Sequence, residues 1–406
     1  MNSASRTMSD DGRRPAGISL SNWLWEPYSH WSYQHVEDMV PTAVISRRDT
    51  PAVALPPARS PVAEIPVTTT DGTATTVGGV MDGTETDGWA VACRGSLAAE
   101  EYRDGMGPQT RHLMFSVSKS LIGVVAGVLH GAGALDTDAE VTTFVPALAR
   151  SGYAGATVRH LLDMRSGVAF SDDYSDPNAD IHILDQAMGW APRSTPDIPS
   201  TLYDFLVTLR QTAPHGGQFE YRSCETDVLG LVCEVIGGQR MPGLMSEVLW
   251  SRIGAQTDAT IGVDRVGTGM FNGGISGCLT DMIRFGSLFL RDGVSLNDQQ
   301  VVHEAWIADT LDGGPDSRQA FAATDTGLPG GMYRNQMWFP YPGNNVALCL
   351  GMCGQMIYIN RAAQTVAAKL STQPHTHGPH VLLDTLRAFD AAAAELSAYP
   401  AWPGAR

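Results

Sequence analysis

Apolar and polar positions alternate along this chain in two distinct periods, and each stretch reads as a strand or a helix accordingly. Gly88 to Arg94 (GWAVACR) and Ala98 to Tyr102 are short apolar runs flanking Gly95-Ser96, which predicts a strand pair closed by a turn. Leu113 to His130 is apolar almost all the way round, so it predicts a long buried helix rather than an amphipathic one. That helix should begin near Phe115-Ser116 and stop at Gly131-Ala132-Gly133. Gly123 and Gly127 share one of its faces and would let a neighbouring element approach closely.

From Asp136 to about Gly238 the helical period dominates, at Thr157 to Met164, Leu202 to Leu209 and Thr226 to Ile236. A loop-rich insert, Phe170 to Pro199, interrupts it. Towards the C-terminus the apolar runs shorten to strand length, at Met337 to Phe339, Val346 to Gly351, Met356 to Ile359 and Thr365 to Leu370, before a final helix over Leu382 to Leu396. Residues 1–20 read as a flexible tail, and the Pro/Ala-rich stretch Pro51 to Pro66 as a linker or extended loop. Strands near both ends with helices between them predict an α+β protein. Its α/β domain would combine residues 21–135 and 270–406, with a mostly helical domain, 136–269, inserted. No internal repeat is visible.

Composition narrows the functions. With 406 residues, 43% hydrophobic, the chain can bury a substantial core. A formal charge of -16 disfavours a phosphate backbone, so nucleic acid is not expected as a partner. The polar stretch Met1 to Gly17 lacks the apolar core of a secretory signal, and no apolar run reaches membrane-spanning length, so a soluble cytoplasmic protein is expected. The six cysteines show no disulfide-framework spacing and should remain thiols there. A homodimer is left open. His375-x-His377-x-x-His380 has ligand-type spacing but lies among Pro and Gly, and a surface loop is the simpler reading; no metal or cofactor is expected.

Of 27 basic residues only Lys119 and Lys369 are lysines; the rest are arginine. A lysine kept against that bias suits what arginine cannot do, which is to give up its proton. Lys369, in the apolar run Thr365 to Leu370, carries no such signal. Lys119 closes Ser116-Val-Ser-Lys119, a Ser-x-x-Lys motif at the predicted start of the buried helix. Three residues along a helix bring the amine back over the serine, where a neutral amine can take the hydroxyl proton. The helix start also supplies free N–H groups that favour developing negative charge. Chance yields about 0.14 such matches in a chain with two lysines, so the motif stands above background. No G-x-S-x-G, H-E-x-x-H or Gly-Lys-Ser/Thr motif competes with it.

Phe115-Ser-Val-Ser-Lys-Ser120, with Val158-Arg-His-Leu-Leu-Asp-Met-Arg-Ser-Gly167, resembles the class C β-lactamase and esterase superfamily of penicillin-recognising serine hydrolases. More narrowly, the chain is similar to the nylon-oligomer (6-aminohexanoate-dimer) hydrolases from about Trp31 to Leu383. The shared landmarks are Met39 to Arg48, Asp173-Tyr174-Ser-Asp176-Pro177, Thr226 to Leu229, Asn272-Gly273-Gly274 and Gly354-Gln355. The resemblance implies a β-lactamase/DD-peptidase-like fold, an antiparallel sheet flanked by helices. It makes Tyr221, in Tyr221-Arg222-Ser223, the phenolate-type base and then the acid that protonates the leaving amine. It pairs the N–H groups of Ser116 and Met352 as the oxyanion hole. It assigns Tyr174 to hydrogen-bond the scissile amide, Asp185 to pair with a terminal ammonium, and Asn272 to line the same pocket and favour the amide substrate.

Two departures qualify the resemblance. The superfamily's Lys-Thr-Gly strand motif is replaced by Cys349-Leu350-Gly351, which removes the cation that attracts a β-lactam carboxylate. Cys353 stands where the narrower group would have a histidine. The expectation is a serine hydrolase with Ser116, Lys119 and Tyr221 as catalytic residues, cleaving linear amides such as the 6-aminohexanoate dimer and short esters. A carboxylesterase or D-amino-acid peptidase-like enzyme of the same fold would share those three residues without needing Asp185 or Tyr174. A non-catalytic penicillin-binding-like module is the remaining alternative.

Overall fold

The computed structural model describes residues 13–58, 60–374 and 380–398. Its main sheet has seven strands: β1 (Thr86–Cys93), β2 (Ser96–Tyr102), β3 (Met332–Arg334), β4 (Met337–Phe339), β5 (Val346–Gly351), β6 (Gln355–Asn360) and β7 (Thr365–Ser371). They lie in the order β2-β1-β7-β6-β5-β4-β3, every pair antiparallel. The N-terminal hairpin β1-β2 thus joins the C-terminal meander through β1 and β7, with Ala90 opposite Ala368. Five of the helices matter most for the site and the core: α1 (Val117–Gly131), α2 (Asp180–Met188), α3 (Ser223–Gly237), α4 (Leu279–Leu290) and α5 (His380–Ala398).

All eight residues of β1 are buried, because helices cover both faces of the sheet. Alternate side chains divide between two cores. Ala90, Ala92, Ile357 and Ile359 pack with Phe285 and Phe289 of α4. Trp89, Val91, Met356 and Tyr358 pack with Leu386 and Phe389 of α5. This is the strand period of two expressed with apolar residues on both faces.

A smaller antiparallel sheet, in the order Thr42–Ile45, Ala259–Gly262, Ile275–Gly277, His112–Leu113, brings two distant stretches together. His112–Leu113 leads directly into α1, and Ile275–Gly277 follows the Asn272 turn. Leu113 pairs with Ser276, and the Met114 N–H donates to the Ile275 carbonyl at 3.0 Å.

α1 is buried along twelve of its residues, as its apolar circumference predicts. A Cβ on Gly123 would meet the Asn335 carbonyl at 2.7 Å and one on Gly127 would meet the Trp306 indole at 2.5 Å, so both glycines permit a close approach. The fold departs from the sequence reading in several places. The insert Phe170 to Pro199 contains α2, whose Ile181, Leu184 and Met188 are buried at helical spacing amid polar residues. α4 lies in a stretch to which the sequence reading assigned no element. Ala259–Gly262 is a strand within the region expected to be mostly helical. Ile18, in the expected tail, is buried in the core. All six cysteines are free and buried. Among the described residues, no helix is long and apolar enough to cross a membrane.

Candidate active site

Ser116 is the N-cap of α1, yet its hydroxyl does not cap the helix. It accepts a hydrogen bond from Lys119 Nζ at 2.8 Å instead. Lys119 is 1% exposed, so the pair is buried rather than a capping serine beside a surface lysine. The residue before the serine, Phe115, has φ of 46°, a strained value for a bulky side chain. It is held by an edge-on contact with the Tyr33 ring at 4.9 Å and by the Ser118 N–H donating to its carbonyl.

Lys119 Nζ donates to two further acceptors, Ser223 Oγ at 3.1 Å and the Asn272 main-chain carbonyl at 2.8 Å. Each is fixed by an acid, half-buried Asp172 or fully buried Asp227. The Ser223 N–H, at the first residue of α3, donates to Asp172 at 2.7 Å. Asn272 donates its main-chain N–H (3.0 Å) and its side-chain amide (2.7 Å) to the two oxygens of Asp227. Burial pushes the Asp227 carboxyl up to about 7 against those hydrogen bonds, and it raises Asp172 as well.

Lys119 Nζ lies 5.0 Å from the centre of the Tyr221 ring, which in turn packs at a tilt against Trp338, with ring centres 5.3 Å apart. Tyr221 is half-buried at the end of the extended segment leading into α3.

These groups open on a cavity of about 300 Å³. Ser116, Tyr174, Asp185, Tyr221, Asn272 and Met352 all line it, so the structure gathers into one site the expected residues other than Lys119, which lies behind Ser116. Sequence reasoning gave no role to Asp172, Ser223 and Asp227. The signal for Ser223 was present as the third position of Tyr221-Arg222-Ser223, and Asp227 lay within the Thr226 to Leu229 landmark; Asp172 had none, and neither acid's partner could be read because both partners are remote in sequence.

Asp185 projects from α2 and is 4% exposed. One of its oxygens, Oδ1, is buried with no hydrogen-bond partner among the described residues. Burial, reinforced by Asp172, pushes its carboxyl up to about 7. Tyr174 packs edge-on against Trp25 and His182, and burial followed by the charges of Asp185 and Asp172 raises its phenol. The wall at β5 is apolar: Leu350 lines the cavity, while Cys349 is buried in the core against Met337. Cys353, with φ of 60°, lies behind Met352, its sulfur 3.4 Å from the Tyr33 hydroxyl.

Lys369 is buried in β7 and donates to the carbonyls of Thr84 and Gly354, outside the cavity lining. His30, Asp87 and Asp104 bring one potential ligand atom each within 4.8 Å of one another, also away from the cavity. Asp87 is already engaged there by His30 at 2.8 Å and His112 at 3.3 Å. His375 and His377 lie outside the described residues, and His380 is exposed at the start of α5.

A serine at a helix start, hydrogen-bonded to a buried amine and beside a tyrosine, is chemistry suited to acyl transfer. Comparison with known proteins agrees. The chain is 37% identical over 387 residues to the 6-aminohexanoate-dimer hydrolase of Paenarthrobacter ureafaciens, spanning 92% of this chain and 94% of that one. A solved candidate 6-aminohexanoate-dimer hydrolase from Bacillus anthracis superposes with a TM-score of 0.87 at 25% identity, covering 96% of this chain and all (100%) of that one. A family VIII carboxylesterase shares the fold, with a TM-score of 0.59 at 15% identity over 78% of this chain and 96% of its own. The β-lactamase family model matches residues 73–392, and the chain is a serine hydrolase belonging to that β-lactamase family.

Proposed function

We propose that this enzyme cleaves linear amides of the 6-aminohexanoate-dimer type, and short carboxyl esters, through an acyl-enzyme on Ser116. The observation that carries the substrate class is Asp185. A buried carboxylate oxygen without a partner among the described residues, in the same cavity as the serine, suits a substrate ammonium group. The apolar walls formed by Leu24, Phe115, Trp338 and Leu350 suit the methylene chain between that ammonium and the scissile carbonyl.

In the amine form Lys119 keeps two N–H groups, and Ser223 Oγ and the Asn272 carbonyl stand as their acceptors. The remaining lone pair then faces Ser116 Oγ. Lys119 takes the serine proton as Oγ attacks the carbonyl carbon, and the resulting oxyanion rests on the N–H groups of Ser116 and Met352. Tyr221 passes a proton to the departing amine nitrogen as the C–N bond breaks and takes one back from Lys119. Tyr174 and Asn272 orient the amide. The neutral Lys119 then takes a proton from water as its oxygen adds to the acyl carbon, and returns that proton to Ser116 Oγ as the acyl C–O bond breaks and the acid leaves. A small-molecule substrate in the cytoplasm belongs to the same reading, and the free thiols are in keeping with it.

Hydrolysis of the 6-aminohexanoate linear dimer beside a p-nitrophenyl short-chain ester tests the proposal. Turnover of both is expected. Ester cleavage without dimer cleavage would leave the serine chemistry intact and overturn the substrate assignment.

A further inference from the structure

Asp227 is fully buried in the second turn of α3 and does not line the cavity, so it cannot touch a substrate. Both of its oxygens are nevertheless committed to a single residue that does, Asn272. One oxygen receives the Asn272 main-chain N–H at 3.0 Å, and the other receives the side-chain Nδ2 at 2.7 Å. The first bond fixes the turn whose carbonyl accepts from Lys119 at 2.8 Å. The second fixes which way round the side-chain amide lies. In its ionised form Asp227 only accepts, so the NH₂ end of the amide faces Asp227, and the end that Asp227 does not hold is the oxygen.

We propose that Asp227 is a positioning residue acting twice through Asn272: it aims the main-chain carbonyl that orients Lys119, and it presents the side-chain oxygen of Asn272 to the substrate. A side-chain oxygen accepts from the N–H of a scissile amide, and an ester has no such N–H to offer. Asp227 therefore contributes to proton transfer with either substrate and to the preference for amides over esters. The inference rests on the acyl-transfer reading above.

Two substitutions separate the two effects. In Asp227→Asn, the new amide must turn its oxygen to the Asn272 N–H, which leaves its NH₂ facing the Asn272 side chain. That side chain then reverses and meets the substrate amide donor to donor. The ratio of kcat/KM for the 6-aminohexanoate dimer to that for a p-nitrophenyl short-chain ester should fall about tenfold, the size of one neutral hydrogen bond. In Asp227→Ala the turn itself loses its anchor, and kcat should fall about tenfold or more on both substrates with KM little changed. An unaltered amide-to-ester ratio in Asp227→Asn overturns the orientation role. An Asp227→Ala enzyme with wild-type ester kcat overturns the link to Lys119. Should Asp227→Ala not fold, the ratio in the near-isosteric Asp227→Asn still decides. Failure of the wild-type enzyme to cleave the dimer would instead count against the substrate reading, so the two failures are distinguishable.

Discussion

Gly351 lies against the main chain of Met114: a Cβ at position 351 would stand 2.4 Å from the Met114 carbonyl oxygen. That contact brings the end of β5, and with it Met352, against the segment that leads into Ser116. Gly351→Val should push the two apart and misplace the Met352 N–H, the donor proposed for the oxyanion. A kcat loss of about 10²-fold on both ester and amide is expected, measured by steady-state kinetics. Wild-type kcat in this variant would count against Met352 as an oxyanion donor.

Ser116→Ala should abolish turnover of both substrates and labelling by a phosphonate probe. Lys119→Arg keeps a cation but cannot supply a neutral amine, and should lose about 10²-fold or more in kcat. Burst kinetics with a p-nitrophenyl ester would locate that loss in acylation. Near-normal acylation by the arginine variant would remove Lys119 from the role of base.

Asp185→Ala should raise KM for the 6-aminohexanoate dimer about tenfold or more while moving ester kinetics far less. Equal losses on both would sink the ammonium-binding role. The same carboxyl, held up to about 7 by burial and by Asp172, must ionise to pair with a cation. The wild-type KM for the dimer should therefore fall as pH rises through about 7, with no matching change for a neutral ester.

Stability should respond to Asp185 in the opposite sense. Its folded-state pKa is raised from 3.8 to about 7, so the stabilising neutral form is fully present at low pH and lost as pH rises through about 7. Asp185→Asn removes that ionisation. Its Tm should exceed wild type by about 2–4 °C or more at pH 8 and match it near pH 4, measured by calorimetry. A variant less stable than wild type at pH 8 would contradict the unpartnered burial of this acid.

Nitrocefin should be hydrolysed at least about 10²-fold less efficiently than a short ester. The cavity carries Asp172 and Asp185, and at the strand position that would hold a cation Cys349 is buried in the core. Efficient nitrocefin turnover would show that the β-lactam carboxylate is held by some other group.

What the sequence determined by itself was what repeats locally. A Ser-x-x-Lys spacing puts Lys119 over Ser116 because three residues nearly complete a helical turn, and an apolar circumference made α1 a buried helix. Runs of strand length at both ends announced an α+β fold, and the resemblance to nylon-oligomer hydrolases added Tyr174, Asp185, Asn272 and Met352, all of which line one cavity. α2 was hidden because its buried positions sit among aspartates and a histidine that dilute the period. How the site is held followed from the three-dimensional arrangement alone. Asp172 reaches Ser223 across 51 residues and Asp227 reaches Asn272 across 45, and neither acid carries a local mark of its partner. The pairings arise because the small sheet sets Ile275–Gly277 beside His112–Leu113, carrying the Asn272 turn to α1. A hydrogen bond between remote residues depends on where the fold brings them, and no spacing along the chain encodes that.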